Sequence, residues 1–187
     1  LGLTGGFGTI KIGQNEHQYE IQQILQDPDP ASENTHSTLG LMTSWGIAGR
    51  QNFTSRDPQS IWYTSPNFGG VTIDSAYITR RVGKTSGINR DGYEFGVQWK
   101  SAFCLSIYGA VARYNDENGT TDSKNDAFRV GVGYGMELFQ VDVFAEQLKF
   151  KDDALSDKRT NVGVSGALNF GQHHIRAAFS TAGKLKR

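Results

Sequence analysis

The chain has 187 residues, with 19 Lys+Arg against 19 Asp+Glu, so its formal net charge is zero and the basic excess of a general nucleic-acid binder is missing. Hydrophobic residues make up 37% and mean hydropathy is −0.47, with no apolar run near the ~18 residues of a transmembrane helix; helical spans are excluded, a barrel of alternating strands is not. The single Cys104 can form no internal disulfide, and 23 glycines with 11% aromatics suit a turn-rich all-β chain.

Leu1-Gly2-Leu3 reads as the tail of a strand, so the chain is expected to begin inside a longer protein. A turn, Thr4-Gly5-Gly6-Phe7-Gly8, leads to Thr9–Ile12, where Ile10 and Ile12 alternate with Thr9 and Lys11. A long connection then runs from about Gly13 to Asp57. A structureless loop longer than about 15 residues is unusual in a compact domain and usually functional when ordered. Its first part, Tyr19–Gln26, has the pattern of a short helix with Tyr19, Ile21, Ile24 and Leu25 as an apolar patch. Asp27-Pro28-Asp29-Pro30 stops it, because proline disfavours helix in the residue before it. Trp45–Phe53 returns through Gly46, Gly49 and Arg50 to a strand at Ser60–Thr64 and a tight turn, Pro66-Asn67-Phe68-Gly69-Gly70.

From there the period is two. Val71, Ile73 and Tyr77 oppose Thr72, Asp74 and Ala76; after a basic connection with Arg80, Arg81, Lys84 and Arg90, the residues Tyr93, Phe95, Val97 and Trp99 oppose Glu94, Gly96, Gln98 and Lys100. Between Phe103 and Tyr114 the facing conflicts, Leu105 and Ile107 competing with Tyr108, Ala110 and Ala112, so a bulge is expected. Asp116–Asp126 reads as a polar connection. Phe128, Val130, Val132 and Tyr134 then alternate with Arg129, Gly131 and Gly133; Val141, Val143 and Ala145 with Asp142 and Glu146. Lys151–Thr160 reads as a further polar connection. Val162, Val164, Leu168 and Phe170 follow, then Ile175, Ala177 and Phe179 against His174, Arg176 and Ser180, and Lys184–Arg187 opens another connection.

The count is about ten strands whose connections alternate short and long, as in an up-and-down barrel with two unlike rims. Tyr63, Tyr77, Tyr93, Trp99, Tyr134, Phe170 and Phe179 are expected near strand ends, where an interfacial girdle would place them. The face opposite the apolar one is rich in Gly, Ala, Ser and Thr, with isolated charges of both signs at Asp74, Glu94, Lys100, Arg129, Asp142, Glu146 and Arg176. Small and charged residues together suit a wall facing a water channel, so the fold expected is an all-β, antiparallel partial barrel, apolar outside. A soluble β-sandwich remains the alternative, with Trp45, Trp62 and Trp99 as stacking platforms for carbohydrate or a surface for a partner protein. A barrel serving as adhesin or enzyme would need a plugged lumen or a catalytic constellation. The sequence contains no Gly-x-Ser-x-Gly elbow, and adjacent His173 and His174 on a strand point oppositely rather than to one metal.

Three stretches, Leu1–Gly13, Trp62–Val71 and Asp91–Val97 with Phe103–Asn115, resemble the strand pair before the constriction loop, the hairpin after it and the next hairpin of the general diffusion porins of Gram-negative outer membranes. The resemblance implies a barrel of roughly sixteen strands, of which this chain supplies an internal part as one domain, 1–187. It also implies a trimer in the outer membrane, in contact with the lipid bilayer and lipopolysaccharide, that passes small hydrophilic solutes and ions and carries no cofactor. On it, Gly13–Asp57 corresponds to the constriction loop, with Asp27, Asp29 and Glu33 as its acidic cluster. The pattern departs where many members carry an arginine, since this chain has Gln14 there and Trp62-Tyr63 before Thr64; Lys11, Arg50 and Arg56 are the candidate replacements.

Overall fold

The computed structural model describes residues 1–16, 19, 53, 56–80, 91–115, 123–151 and 156–186. They form ten strands: β1 (Gly2–Gly5), β2 (Gly8–Glu16), β3 (Arg56–Thr64), β4 (Val71–Arg80), β5 (Gly92–Lys100), β6 (Leu105–Asn115), β7 (Lys124–Gly135), β8 (Phe139–Lys151), β9 (Ser156–Phe170) and β10 (His173–Ala182). All ten lie in one sheet in sequence order, and every neighbouring pair is antiparallel. β1 and β10 do not pair with each other, so the sheet is a partial barrel with two edges. Strands of 9 to 15 residues from β2 onward meet the ~9–11 residues that a tilted strand needs to cross a bilayer.

Burial alternates along the strands and settles which face is apolar. In β7 the residues Ala127 and Arg129 are buried, while Phe128, Val130, Val132 and Tyr134 are exposed. In β5, Glu94 is 2% exposed, whereas Phe95 and Val97 are 46% and 38% exposed. That is the inverse of a sandwich, whose apolar residues would meet between two sheets. Register extends the rule sideways, because directly paired residues share a face. Val97, Gly109, Val130, Ala145 and Val162 form one continuous outward row. Gly96, Ala110, Arg129, Glu146 and Asn161 form the inward row beside it.

Four details of the strands differ from the sequence reading. β6 pairs without interruption on both sides and contains no bulge. Its ambiguity arose because Tyr108, Ala110, Ala112 and Tyr114 are apolar yet inward, under cover of the chain's own residues. The register shifts occur instead between Gly13 and Asn15, and between Gln59 and Ser60. There Ser60 Oγ and Asn15 Nδ2 both donate to the Gly13 carbonyl, at 2.9 and 3.2 Å. β2 and β3 run past the expected ends, to Glu16 and back from Arg56, so the long connection is 17–55. β9 begins at Ser156, which turns half of the expected Lys151–Thr160 connection into strand. The charges there misled, since Asp157 and Arg159 face inward and Lys158 outward.

The tight turn after β3 behaves as its residues demand. Asn67 Oδ1 accepts from the Gly70 amide at 2.7 Å, and Gly70 has φ +96°. A Cβ on Gly70 would lie 2.3 Å from the Lys100 carbonyl, so only glycine lets this turn pack on the end of β5. Of the aromatics expected near strand ends, Tyr77 and Tyr93 lie outward at the rim with the long connections, and Tyr63, Trp99, Tyr134 and Phe170 lie outward at the rim with the short turns. Phe179 departs from the expected belt; it pairs with Val164, in the middle of the apolar band.

Candidate functional site: the inner wall

The inner face of β5–β9 carries a buried polar cluster. Arg129 and Glu146 are register partners on β7 and β8, both side chains are fully buried, and they form an ion pair. Glu146 also accepts from Asn161 Nδ2 at 2.8 Å and from the Tyr19 hydroxyl at 2.7 Å. Two strands away, Glu94 accepts from the Tyr114 hydroxyl through Oε1 and from the Tyr19 amide through Oε2, the latter at 3.2 Å. Arg129 completes the circuit by donating to the Tyr19 carbonyl at 3.1 Å, with its guanidinium 4.3 Å from the Tyr19 ring centroid.

Tyr19 belongs to the long connection between β2 and β3. Its amide, carbonyl, hydroxyl and ring are therefore all held by inward-facing strand residues. Phe53, near the other end of the connection, is also fully buried. Its ring stacks on Tyr114 at 5.4 Å between centroids and packs on Phe150 at 5.9 Å. Tyr19 and Phe53 meet at 5.8 Å. The long connection is thus fastened to the inner wall at both of its described residues, and the fastening joins charge-assisted hydrogen bonds to aromatic burial.

Room for this comes from small residues on the wall. Gly96, Ala110, Ala112 and Ala127 leave space between Glu94 and Arg129. Gly131 lies opposite Tyr108, and a Cβ there would be 2.2 Å from the Tyr108 ring. Toward the short-turn rim lies a second polar group. A cavity of about 330 Å³ is lined by Gln98, Lys100, Ser106, Gln140 and Asp142, with Cys104 at its edge. Asp142 accepts from Gln140 Nε2 at 2.7 Å.

All seven expected wall residues lie on the inner face. Glu94, Arg129 and Glu146 share the cluster, Asp142 lies below it with Lys100, Asp74 accepts from Thr64 Oγ1 at 2.6 Å, and Arg176 sits exposed on β10. Among the described residues, Lys100 and Arg176 pair with no carboxylate. Of the expected constriction residues, Lys11 is exposed on the inner face opposite Trp62, and Gln14 is exposed at the β2 irregularity. Asp27, Asp29, Glu33 and Arg50 lie outside the described residues. Sequence reasoning missed Tyr19, Phe53, Tyr114 and Asn161 as parts of the site. Two mid-strand acids and one arginine on the same face were the available signal, but only the register brings them together.

A family model described as Gram-negative porin matches residues 1–186. The major outer membrane protein P.IB of Neisseria meningitidis is 23% identical over 190 residues, covering 96% of this chain and 52% of that protein. That of Neisseria gonorrhoeae is 24% identical over 202 residues, covering 96% and 54%. Among solved structures, an anion-selective porin from Comamonas acidovorans superposes with a TM-score of 0.83 at 18% identity, covering 97% of this chain and 55% of that one. OmpT of Vibrio cholerae superposes at 0.68 with 13% identity, covering 98% and 59%. The chain spans about half the length of the curated relatives it matches.

Proposed function

The chain belongs to the Gram-negative porin family, and from that premise we propose that it forms part of the wall and the constriction of a water-filled channel through which small hydrophilic solutes and ions diffuse passively across the outer membrane. The observation that carries this reading is the inverted sheet with its long connection fastened inside, at Tyr19 and Phe53, against Glu94, Arg129 and Glu146. An apolar exterior suits lipid and a charged interior suits water. A connection tied across the interior narrows it. Passage then needs no energy input and no cofactor, and the wall has no catalytic task. Polar solutes exchange hydration for contacts with the lining, and the placement of its charges biases which ions pass.

In this reading the 13–57 segment, of which 17–55 connects β2 to β3, is the constriction loop. Asp27, Asp29, Glu33 and Arg50 line its narrow part with Lys11 and Gln14, and Asp74, Lys100, Asp142 and Arg176 line the vestibules. The whole protein closes with further strands and assembles as a homotrimer, as the family resemblance implies. The test is reversal potential across a planar bilayer under a salt gradient, using the full-length protein. Replacing Asp27, Asp29 and Glu33 by lysine should shift permeability toward anions at nearly unchanged trimer yield. An unchanged reversal potential with intact conductance refutes the loop assignment; absence of any conductance in the parent refutes the channel.

A further inference from the structure

The inner wall holds a carboxylate that the fastening of the long connection does not use. Asp142 is 2% exposed, yet its hydrogen-bond partner among the described residues is a single amide, Gln140 Nε2, which donates to Oδ2 at 2.7 Å. No cation pairs with it among the described residues. Taking a carboxylate out of water is expensive unless it is paired or well hydrogen-bonded. Glu146, four residues further along β8, has three donors where Asp142 has one. The second oxygen of Asp142 leans over Gly133: a Cβ on that glycine would lie 2.0 Å from Asp142 Oδ1 and 2.7 Å from Ser106 Oγ. The carboxylate and the hydroxyl therefore converge above a position that carries no side chain.

Register sets the rest of the arrangement. Lys100, Ser106, Gly133 and Asp142 are successive direct partners across β5–β8, so they form one inward row. The cavity of about 330 Å³ lies over this row, with Gln98 and Gln140 beside it. Lys100, at the other end from Asp142, is exposed and pairs with no carboxylate among the described residues. Neighbouring strands are ~4.8 Å apart, so three spacings put the Lys100 and Asp142 backbones on the order of 14 Å apart. The two opposite charges thus stand at the ends of a trough floored by Ser106 and Gly133. At the Asp142 end the acceptors are Oδ1, Ser106 Oγ and the Gln140 side-chain carbonyl, whose amide is already given to Asp142. A primary ammonium has three donors and no acceptor, which matches that set. At the Lys100 end the three N–H donors call for a carboxylate.

We propose that Lys100, Ser106, Gln140 and Asp142 form a solute subsite, on the short-turn side of the lumen, that takes small zwitterions of the amino acid and dipeptide class: the ammonium sits on Asp142, Ser106 and Gln140, and the carboxylate on Lys100. This deepens the channel reading and rests on it in that the inner face must be open to water. Charge of one sign fits worse. An anion engages Lys100 and is repelled by Asp142, a simple cation does the reverse, and a neutral polyol leaves both charges unpaired. The side chains come from β5, β6 and β8 and none from the long connection, so the subsite is independent of where that connection's acids lie. One buried and one exposed charge also suit a channel, where binding must favour entry yet permit release.

The experiment uses the full-length protein in detergent and saturation-transfer NMR, with glycine and glycylglycine as probes and acetate, methylammonium and glycerol as parallel arms. At least one zwitterion should bind about tenfold or more tightly than every single-charge or neutral arm, and the tighter of the two reports the span between the charges. Asp142→Asn, which keeps the shape of the side chain, should weaken that zwitterion about tenfold or more without weakening acetate. Lys100→Gln should weaken it by a similar factor without weakening methylammonium. That crossed pattern is one a merely structural role would not produce, and the exposed Lys100 supplies it even where Asp142→Asn disturbs the wall. Equal binding of a zwitterion and any other arm overturns the proposal. So does a parent that binds neither zwitterion, or a Lys100→Gln protein that binds them as the parent does. Bilayer conductance of the parent separates the two readings: a conducting parent without zwitterion binding defeats the subsite alone, and a non-conducting parent that binds them defeats the channel alone.

Discussion

Glu146 illustrates what one side chain must satisfy in this wall. It is an acid with no exposure, and it is tolerable there because Arg129, Asn161 and Tyr19 each donate to it. Arg129 in turn has Glu146, the Tyr19 carbonyl and the Tyr19 ring. Removing one member strands the other, which typically costs about 3–5 kcal/mol for a buried pair. Glu146→Ala should therefore lower the thermal midpoint of the full-length protein markedly more than Tyr19→Phe, which deletes one hydrogen bond worth about 1 kcal/mol. The two changes share a further consequence. Both loosen the long connection from the inner wall, so single-channel conductance should become noisier, with added open sublevels, in each variant. Quiet parent-like traces from Glu146→Ala would show that Tyr19 is held by other means.

At the scale of the strand, the wall depends on the match between a large residue and the small one opposite it. Tyr108 on β6 is 1% exposed and its ring rests over Gly131 on β7; Phe144 on β8 stands likewise over Gly163 on β9. Gly131→Val should impair folding because the added Cβ falls 2.2 Å from the Tyr108 ring. Tyr108→Ala, by emptying that space, should restore part of the loss, and the double mutant should be about 1–3 kcal/mol more stable than the sum of the two single changes implies. Urea-induced unfolding of the lipid-reconstituted protein measures it, and strict additivity of the two changes would refute the contact. This pairing also explains what the sequence could and could not disclose. Alternation in β5 and β7 was plain, since Phe95, Val97, Val130 and Val132 are apolar against Glu94, Gly96, Arg129 and Gly131. Inward Tyr108 and Tyr114 were opaque, because their reason for being apolar and inward lies across the sheet in Gly131 and across the lumen side in Phe53. Arg159 was hidden for a different reason: in Ser156–Thr160 polar residues alternate with polar residues, so the strand has no hydropathy period to see.

Over the whole molecule, the inverted distribution of polarity decides the environment. The outward band of β5–β9 exposes Val97, Val130, Val132, Val143, Val162 and Val164 together, row upon row, which a water-facing sheet would leave as one large apolar surface. Aromatics bound that band at both rims, and beyond those at the rim with the long connections the residues turn cationic. Lipid removes the cost of the exposed valines, and it creates a cost for charge placed among them. Val132→Lys, within the band, should destabilise the bilayer-embedded full-length protein by about 2–4 kcal/mol, whereas the same charge introduced on the inner face by Gln98→Lys should change stability by less than about 1 kcal/mol. Folding into phosphatidylcholine vesicles across a urea series, followed by the heat-modifiable gel shift, reads both. In a water-soluble fold the order would reverse, because Val132 is 46% exposed and a surface lysine there would be harmless or solubilising. Parent-like folding of Val132→Lys in lipid, or a stable monomer of the parent in detergent-free buffer, would therefore remove the basis for placing this sheet in a membrane.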